Sequence, residues 1–144
     1  MSLDIRNILK GELKNKNGVV LSEDVMSNKV VAVYFSAHWC PPCRAFTPML
    51  LNFYDNLKEM GTSLEIIFVS SDNDKNSFDE YYGTMHWLAV PFGDDRIEKL
   101  NSAANVQGIP TLIFVDPSNG KILNDEGTEI VYDGNFEAVL DWCM

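Results

Sequence analysis

The sequence predicts an α/β fold in which helices cover both faces of a central sheet, and three observations carry that expectation. Three short runs, Val30 to Phe35, Leu64 to Val69 and Thr111 to Val115, are apolar almost without interruption and rich in β-branched residues. Strands of that composition are covered on both faces, whereas a sandwich strand alternates apolar and polar positions. Between the first two runs, Phe46, Met49, Leu50, Phe53, Leu57 and Met60 fall at spacings of 3, 1, 3, 4 and 3, the stripe of an amphipathic helix. Strand and helix patterns then alternate along the chain without repeats, linkers or low-complexity segments. With 144 residues, 46% of them hydrophobic, residues 1–144 are expected to form a single domain.

Each element has its own signal. Residues 3–10 fit a small N-terminal helix, and Val19 to Leu21 an edge strand. The helix after the first central strand ends at Gly61, and Pro48 inside it is expected to kink it, because proline lacks the N–H and crowds the preceding turn. Ser70-Ser71-Asp72 is expected to cap a helix running from about Asn76 to Tyr82, closed by Gly83. A further short helix is expected from Asp95 to Ala104. Gln107-Gly108-Ile109-Pro110 reads as a turn into the third strand, and Asp116 to Gly120 as a turn into a weaker strand at Lys121 to Leu123. Asn135 to Trp142 fits a helix with Phe136, Val139 and Leu140 inward.

Charge and cysteine content narrow the function. Eleven Lys and Arg against 21 Asp and Glu give a net charge of −10. Phosphate-rich partners attract excess Lys and Arg, so a nucleic acid or an anionic membrane is not an expected partner. Three cysteines are too few for a disulfide-stapled secreted scaffold. The first residues lack a basic stretch followed by an apolar one, no lipidation motif is visible and no apolar run approaches a membrane span. A reducing intracellular location, cytoplasmic and extending to the nucleus, is expected.

The segment that carries chemistry is Ser36-Ala37-His38-Trp39-Cys40-Pro41-Pro42-Cys43-Arg44, which leaves a buried strand and opens the amphipathic helix. Two cysteines three apart at a helix start can close a small redox-active disulfide ring. Cys40 stands where unpaired N–H groups and the helix dipole favour a thiolate, and Cys43, one turn on, is expected to face inward. Pro41 and Pro42 are tolerated there because first-turn N–H groups have no intrahelical partner. The other common use of Cys-x-x-Cys is half a zinc site, which needs two more ligands. Cys143, His38 and His86 form no second close pair, so no metal is expected.

Trp39-Cys40-Pro41-Pro42-Cys43-Arg44 followed by Phe46-Thr47-Pro48 resembles the active-site segment of the thioredoxin superfamily, in its nucleoredoxin and tryparedoxin branch. Trp87-Leu88-Ala89-Val90-Pro91-Phe92 and Gly108-Ile109-Pro110-Thr111-Leu112 resemble the two later motifs of that branch, in the same order. The resemblance spans about Val30 to Pro117. It implies a thioredoxin fold, a central mixed β-sheet flanked by helices on both faces. It further implies a thiol–disulfide oxidoreductase in which Cys40 attacks and Cys43 resolves, cycling through a Cys40–Cys43 disulfide without a cofactor. Trp39 would flank the disulfide as a docking surface, and Pro110 would be a cis-proline facing it, with the Ile109 backbone pairing to an extended substrate. On the residues alone Pro110 reads equally as a trans turn proline. The implied partners are disulfide-containing proteins, signalling proteins among them, and an upstream reductant: thioredoxin reductase, glutathione or trypanothione.

The chain departs from thioredoxins at Tyr34, which stands where they carry a buried aspartate six residues before the first cysteine. A tyrosine hydroxyl, with an ordinary pKa near 10, is a poor base at neutral pH. Proton transfer then falls to Tyr34, to water or to Asp72 at the end of the second central strand, and a base at Asp72 predicts a slower resolving step in Asp72→Asn. The bland alternative for Asp72 is a helix N-cap. Asp72-Asn73-Asp74-Lys75-Asn76 imitates the start of a calcium loop but lacks the turn glycine and the closing glutamate. His38 and Arg44 are expected to be solvated, Trp87 and Phe92 are divided between core and active-site surface, and Cys143 reads as a spare thiol.

Overall fold

The computed structural model describes residues 1–143. A short helix α1 (Ile5–Ile8) leads into a hairpin of β1 (Glu12–Asn15) and β2 (Gly18–Leu21), followed by α2 (Ser22–Val25). Next come β3 (Val30–Ser36), α3 (Pro41–Glu59), β4 (Leu64–Ser70), α4 (Lys75–Tyr82), β5 (Leu88–Ala89) and α5 (Asp95–Ala103). The remaining elements are β6 (Thr111–Val115), β7 (Ile122–Asn124), α6 (Gly127–Tyr132) and α7 (Phe136–Trp142). Among the described residues the strands form one mixed sheet of order β2-β1-β5-β4-β3-β6-β7. The three middle strands β5, β4 and β3 are parallel, and the antiparallel pairings lie to either side.

Successive residues of a strand point to opposite faces, and β3 shows what that alternation achieves. Val30, Ala32 and Tyr34 join one buried cluster with α3, α4, α6 and α7. Val31, Val33 and Phe35 join a second with residues of α1, α2 and α5, including Ile5, Val25 and Leu100. A strand that feeds two cores must be apolar at every position, which is the pattern that marked it.

α3 shows where periodicity alone misplaces a face. Its buried side is Cys43, Phe46, Thr47, Leu50, Phe53, Tyr54 and Leu57. Met49 and Met60, included in the expected stripe, are exposed. Thr47 and Tyr54 take core positions instead, each with its hydroxyl bonded. Pro41 and Pro42 occupy the first turn, Pro48 lies inside a helix that continues to Glu59, and Gly61 follows the C-cap at φ +74°.

The expected cap of α4 is corrected. Asp74, not Ser70-Ser71-Asp72, is its N-cap, accepting from the Ser77 amide at 2.8 Å. β1, α2, β5 and α6, none longer than six residues, are not marked by the sequence patterns and owe their form to the sheet and core they meet.

Candidate active site

Strand register assembles the site. β3 and β4 run parallel with Ser36 opposite Ser70, and β6 runs antiparallel to β3 with Thr111 opposite Phe35. The loops leaving β3 and β4 and the loop entering β6 therefore meet at one end of the sheet. Local hydrogen bonds lock them together. The Ser71 amide donates to Ser36 O at 2.9 Å, the His38 amide to Asp72 Oδ1 at 2.7 Å, and Trp39 Nε1 to Ser71 O at 3.0 Å. Arg44, one turn into α3, reaches back and donates to His38 O at 2.7 Å.

Cys40 is the N-cap of α3, with extended backbone at φ −93°, ψ 110°. The residue is only 5% exposed, and its sulfur lies 3.8 Å from Ile109 O. The Ile109–Pro110 bond is cis. Trp39 beside it is 55% exposed, a large aromatic held out into solvent by its indole bond. Cys43 is fully buried. Burial, and then the hydrogen bond to Cys40, push its thiol up to about 11, while the Ser36 hydroxyl and the Ala37 backbone oppose them. Both cysteines are free thiols. A thiolate is the species that attacks a disulfide, so Cys43 at neutral pH waits in the protonated form.

Tyr34 is fully buried on β3, packed against Phe46, Phe68 and Trp87. Its Oη lies 2.7 Å from Thr47 Oγ1. Burial, reinforced by Tyr81, drives its pKa far above the ordinary tyrosine value, so it is no base at neutral pH. Asp72 does not cap a helix. Its Oδ1 accepts the His38 amide and its Oδ2 the Ser70 hydroxyl at 2.7 Å, so it ties the β4 loop to the cysteine loop. His38 is half-buried and stacks on the Tyr81 ring at 5.3 Å rather than standing free in solvent. Trp87 is core, whereas Phe92 is half-buried and shares a shallow 340 Å³ groove with Ser70, Ser71 and Asp72. His86 pairs with Asp55 at 2.9 Å on the surface. Cys143 is half-buried, its sulfur 3.5 Å from Ser63 O. Among the described residues no group of three or more His, Cys, Asp or Glu side chains is placed to hold a metal ion.

Three residues beneath the cysteines escape the sequence reading. Ser36 Oγ lies 2.6 Å from Tyr81 Oη, which lies 2.6 Å from Thr47 Oγ1, and Thr47 Oγ1 is 3.0 Å from Cys43 O. With Tyr34 they form a buried row of four hydroxyls. A signal existed for two of them. Ser36 follows Tyr34 on the same face of a wholly apolar strand, and Thr47 follows Cys43 by one helical turn.

Comparison with known proteins agrees with this geometry. A family model described as thioredoxin-like matches residues 28–122. Human nucleoredoxin is 44% identical over 129 residues, which are 89% of this chain and 30% of nucleoredoxin. Tryparedoxin from Trypanosoma brucei superposes with a TM-score of 0.86 at 34% identity, covering 100% of both chains. Tryparedoxin II complexed with glutathionylspermidine superposes with a TM-score of 0.87 at 30% identity, covering 99% of this chain and 100% of that one. The chain thus spans less than a third of the curated nucleoredoxin it resembles, and the whole of the tryparedoxins. It belongs to the thioredoxin-like family and is related in sequence and fold to the nucleoredoxins and tryparedoxins.

Proposed function

We propose that residues 1–144 act as a single thioredoxin-like domain that reduces protein disulfides through Cys40 and Cys43. The observation that carries this reading is the placement of Cys40, at the mouth of a helix, against the Ile109 carbonyl and the cis-Pro110 loop, with buried Cys43 one turn behind. The Cys40 thiolate attacks a substrate disulfide, forming a mixed disulfide and releasing one substrate thiolate. Cys43, deprotonated, then attacks Cys40 Sγ. The Cys40–Cys43 bond forms, the Cys40–substrate bond breaks, and the second substrate sulfur leaves with the electron pair and takes up a proton. The substrate is reduced by two electrons and the enzyme is left as the disulfide. Trp39 supplies the apolar surface on which the substrate segment lies, and the Ile109 backbone pairs with it as an added strand.

Insulin reduction with dithiothreitol tests the assignment. Cys40→Ser is expected to be inactive and Cys43→Ser to accumulate covalent substrate adducts. Wild-type turnover by Cys40→Ser would overturn it.

The upstream donor in this proposal is an intracellular dithiol or glutathionyl thiol. The bound glutathionylspermidine of the tryparedoxin II structure supports that class. Turnover with thioredoxin reductase and NADPH, with glutathione and with trypanothione separates the choices. A cytoplasmic or nuclear location accords with the nucleoredoxin relatives. No helix among the described residues is long and apolar enough to cross a membrane. A second reading, a redox-sensing module that binds signalling proteins, draws on exposed Trp39. Binding that survives loss of both cysteines would favour it.

A further inference from the structure

Two grooves adjoin the cysteine loop, and they share no residue. The one already described is lined by Asp72, and Asp94, Asp95 and Glu98 also face it. The other, of 260 Å³, lies between α3 and the end of α4, against His38, Arg44, Pro48, Leu51, Tyr81 and Thr84, with no Asp or Glu in its lining. Pro48, Leu51 and the stacked rings of His38 and Tyr81, within 13° of parallel, give it apolar walls. Arg44 is exposed at this groove and spends Nη1 on His38 O, which leaves most of its guanidinium N–H groups free for another acceptor. Among the described residues no carboxylate lies within salt-bridge distance of Arg44, in a chain where 21 acidic residues outnumber 11 basic ones.

We propose that this groove is a docking subsite for the substrate, taking an apolar side chain that has a carboxylate beside it. The carboxylate meets the free N–H groups of Arg44, while the apolar side chain lies against Pro48, Leu51 and the stacked rings. Size points to a side chain rather than a whole small molecule, since 260 Å³ is below the roughly 300–1,000 Å³ of pockets that enclose one. Distance points to the disulfide substrate as its owner. The Arg44 amide donates to Cys40 O at 3.1 Å, so the two residues stand one helical turn apart, about 6 Å along the axis. An extended chain advances about 3.3 Å per residue, so a segment bonded to Cys40 brings a residue about two to four positions from its own cysteine to the groove. Charge points to an acidic segment. A protein of net charge −10 repels such a segment at a distance, and Arg44 offsets that repulsion at the place of contact. A basic side chain would meet Arg44 there with no carboxylate to receive it, so it is disfavoured. The inference rests on the disulfide-reducing role given to Cys40 and Cys43 above and adds to it the class of substrate.

Cyclic disulfide peptides test the groove. Each carries one residue pair, Leu-Glu, Leu-Lys or Gly-Glu, within about four residues of a cysteine, on its N-terminal side in one set and its C-terminal side in another. Reduction is followed with dithiothreitol as the electron donor, over the rate of dithiothreitol alone. Cys40→Ser should reduce none of the peptides; if it does, the dithiol reading itself fails, whatever the groove does. In one of the two sets wild-type protein should reduce the Leu-Glu peptide with kcat/KM about fivefold above the Leu-Lys peptide, the effect of an exposed charge pair. It should exceed the Gly-Glu peptide about tenfold, for the lost apolar contact. Arg44→Glu should turn the preference toward Leu-Lys. Thr84 stands just past α4, its hydroxyl bonded to Tyr81 O at 2.7 Å. Thr84→Glu should bring the Leu-Glu and Leu-Lys peptides level, and Thr84→Lys should widen the gap between them. A substitution that merely disturbs the fold lowers all the peptides together and leaves their ratio where it was. The proposal is overturned if wild-type protein prefers Leu-Glu over both other peptides in neither set, or if the preference survives Arg44→Glu or Thr84→Glu. Where Arg44→Glu does not fold, Thr84→Glu decides alone.

Discussion

At the scale of single residues, Asp72 decides where the cysteine loop sits, because its two oxygens hold the His38 amide and the Ser70 hydroxyl. Positioning and base catalysis predict different results at this carboxylate. Asp72→Ala removes the acceptor for the His38 amide and should lower kcat/KM for insulin reduction about tenfold, the loss of a charge-assisted hydrogen bond. Asp72→Asn keeps an oxygen for that amide and should retain most of the rate if Asp72 positions the loop. A base role would instead make Asn as poor as Ala and slow the resolving phase alone. Single-turnover measurement of both phases distinguishes them. Cys40, Cys43, Trp39 and the Ile109–Pro110 pair were legible in the sequence because their chemistry is carried by short contiguous motifs. Tyr81 was not: it stands 45 residues from Ser36 on a helix whose aromatic residues read as core, and only folding brings the two hydroxyls together.

Elements were legible in proportion to how much of their own stabilisation they contain. β3, β4 and β6 announce themselves because all or all but one of their positions are buried, and α3 because it is long enough to show a stripe. α6 has six residues and an opening glycine, and its place is set by what it touches. A Cβ at Gly127 would lie 2.5 Å from Leu112 O and 2.8 Å from the Leu112 side chain. The glycine is there to let α6 approach β6, not to adopt a left-handed backbone. Gly127→Ala should therefore push the helix from the sheet and cost about 1–3 kcal/mol despite the better helix propensity of alanine. Urea denaturation measures it. A variant as stable as wild type would mean that α6 is free to shift.

For the whole molecule, the two faces of the sheet divide the chemistry unequally. One buried cluster is almost wholly aliphatic, while the cluster under α3 and α4 holds Tyr34, Tyr54, Tyr81 and Tyr82 together with Trp87. Burial raises the pKa of all four tyrosines above the ordinary value, with Glu65 adding its charge beside Tyr54 and Tyr82. An acid whose folded pKa is raised binds its proton more tightly in the folded state. Its contribution is complete below the unfolded pKa, near 10 for tyrosine, and is lost as pH rises toward the folded value. Cys43 follows the same rule in a lower window, from its ordinary value of 9.0 to about 11. Stability should thus fall steadily above about pH 9. Urea midpoints at pH 8 and pH 10.5, read by circular dichroism and by tyrosinate absorbance, give the test. The tyrosinate signal of the buried rings should rise with unfolding rather than before it. Tyr54→Phe removes the hydroxyl that donates to Glu65 at 2.8 Å, so it should be less stable at pH 8 yet lose less on going to pH 10.5. Equal wild-type midpoints at the two pH values, with the tyrosinate signal fully developed in the folded protein, would show that water reaches these hydroxyls and that the α3–α4 cluster opens without unfolding.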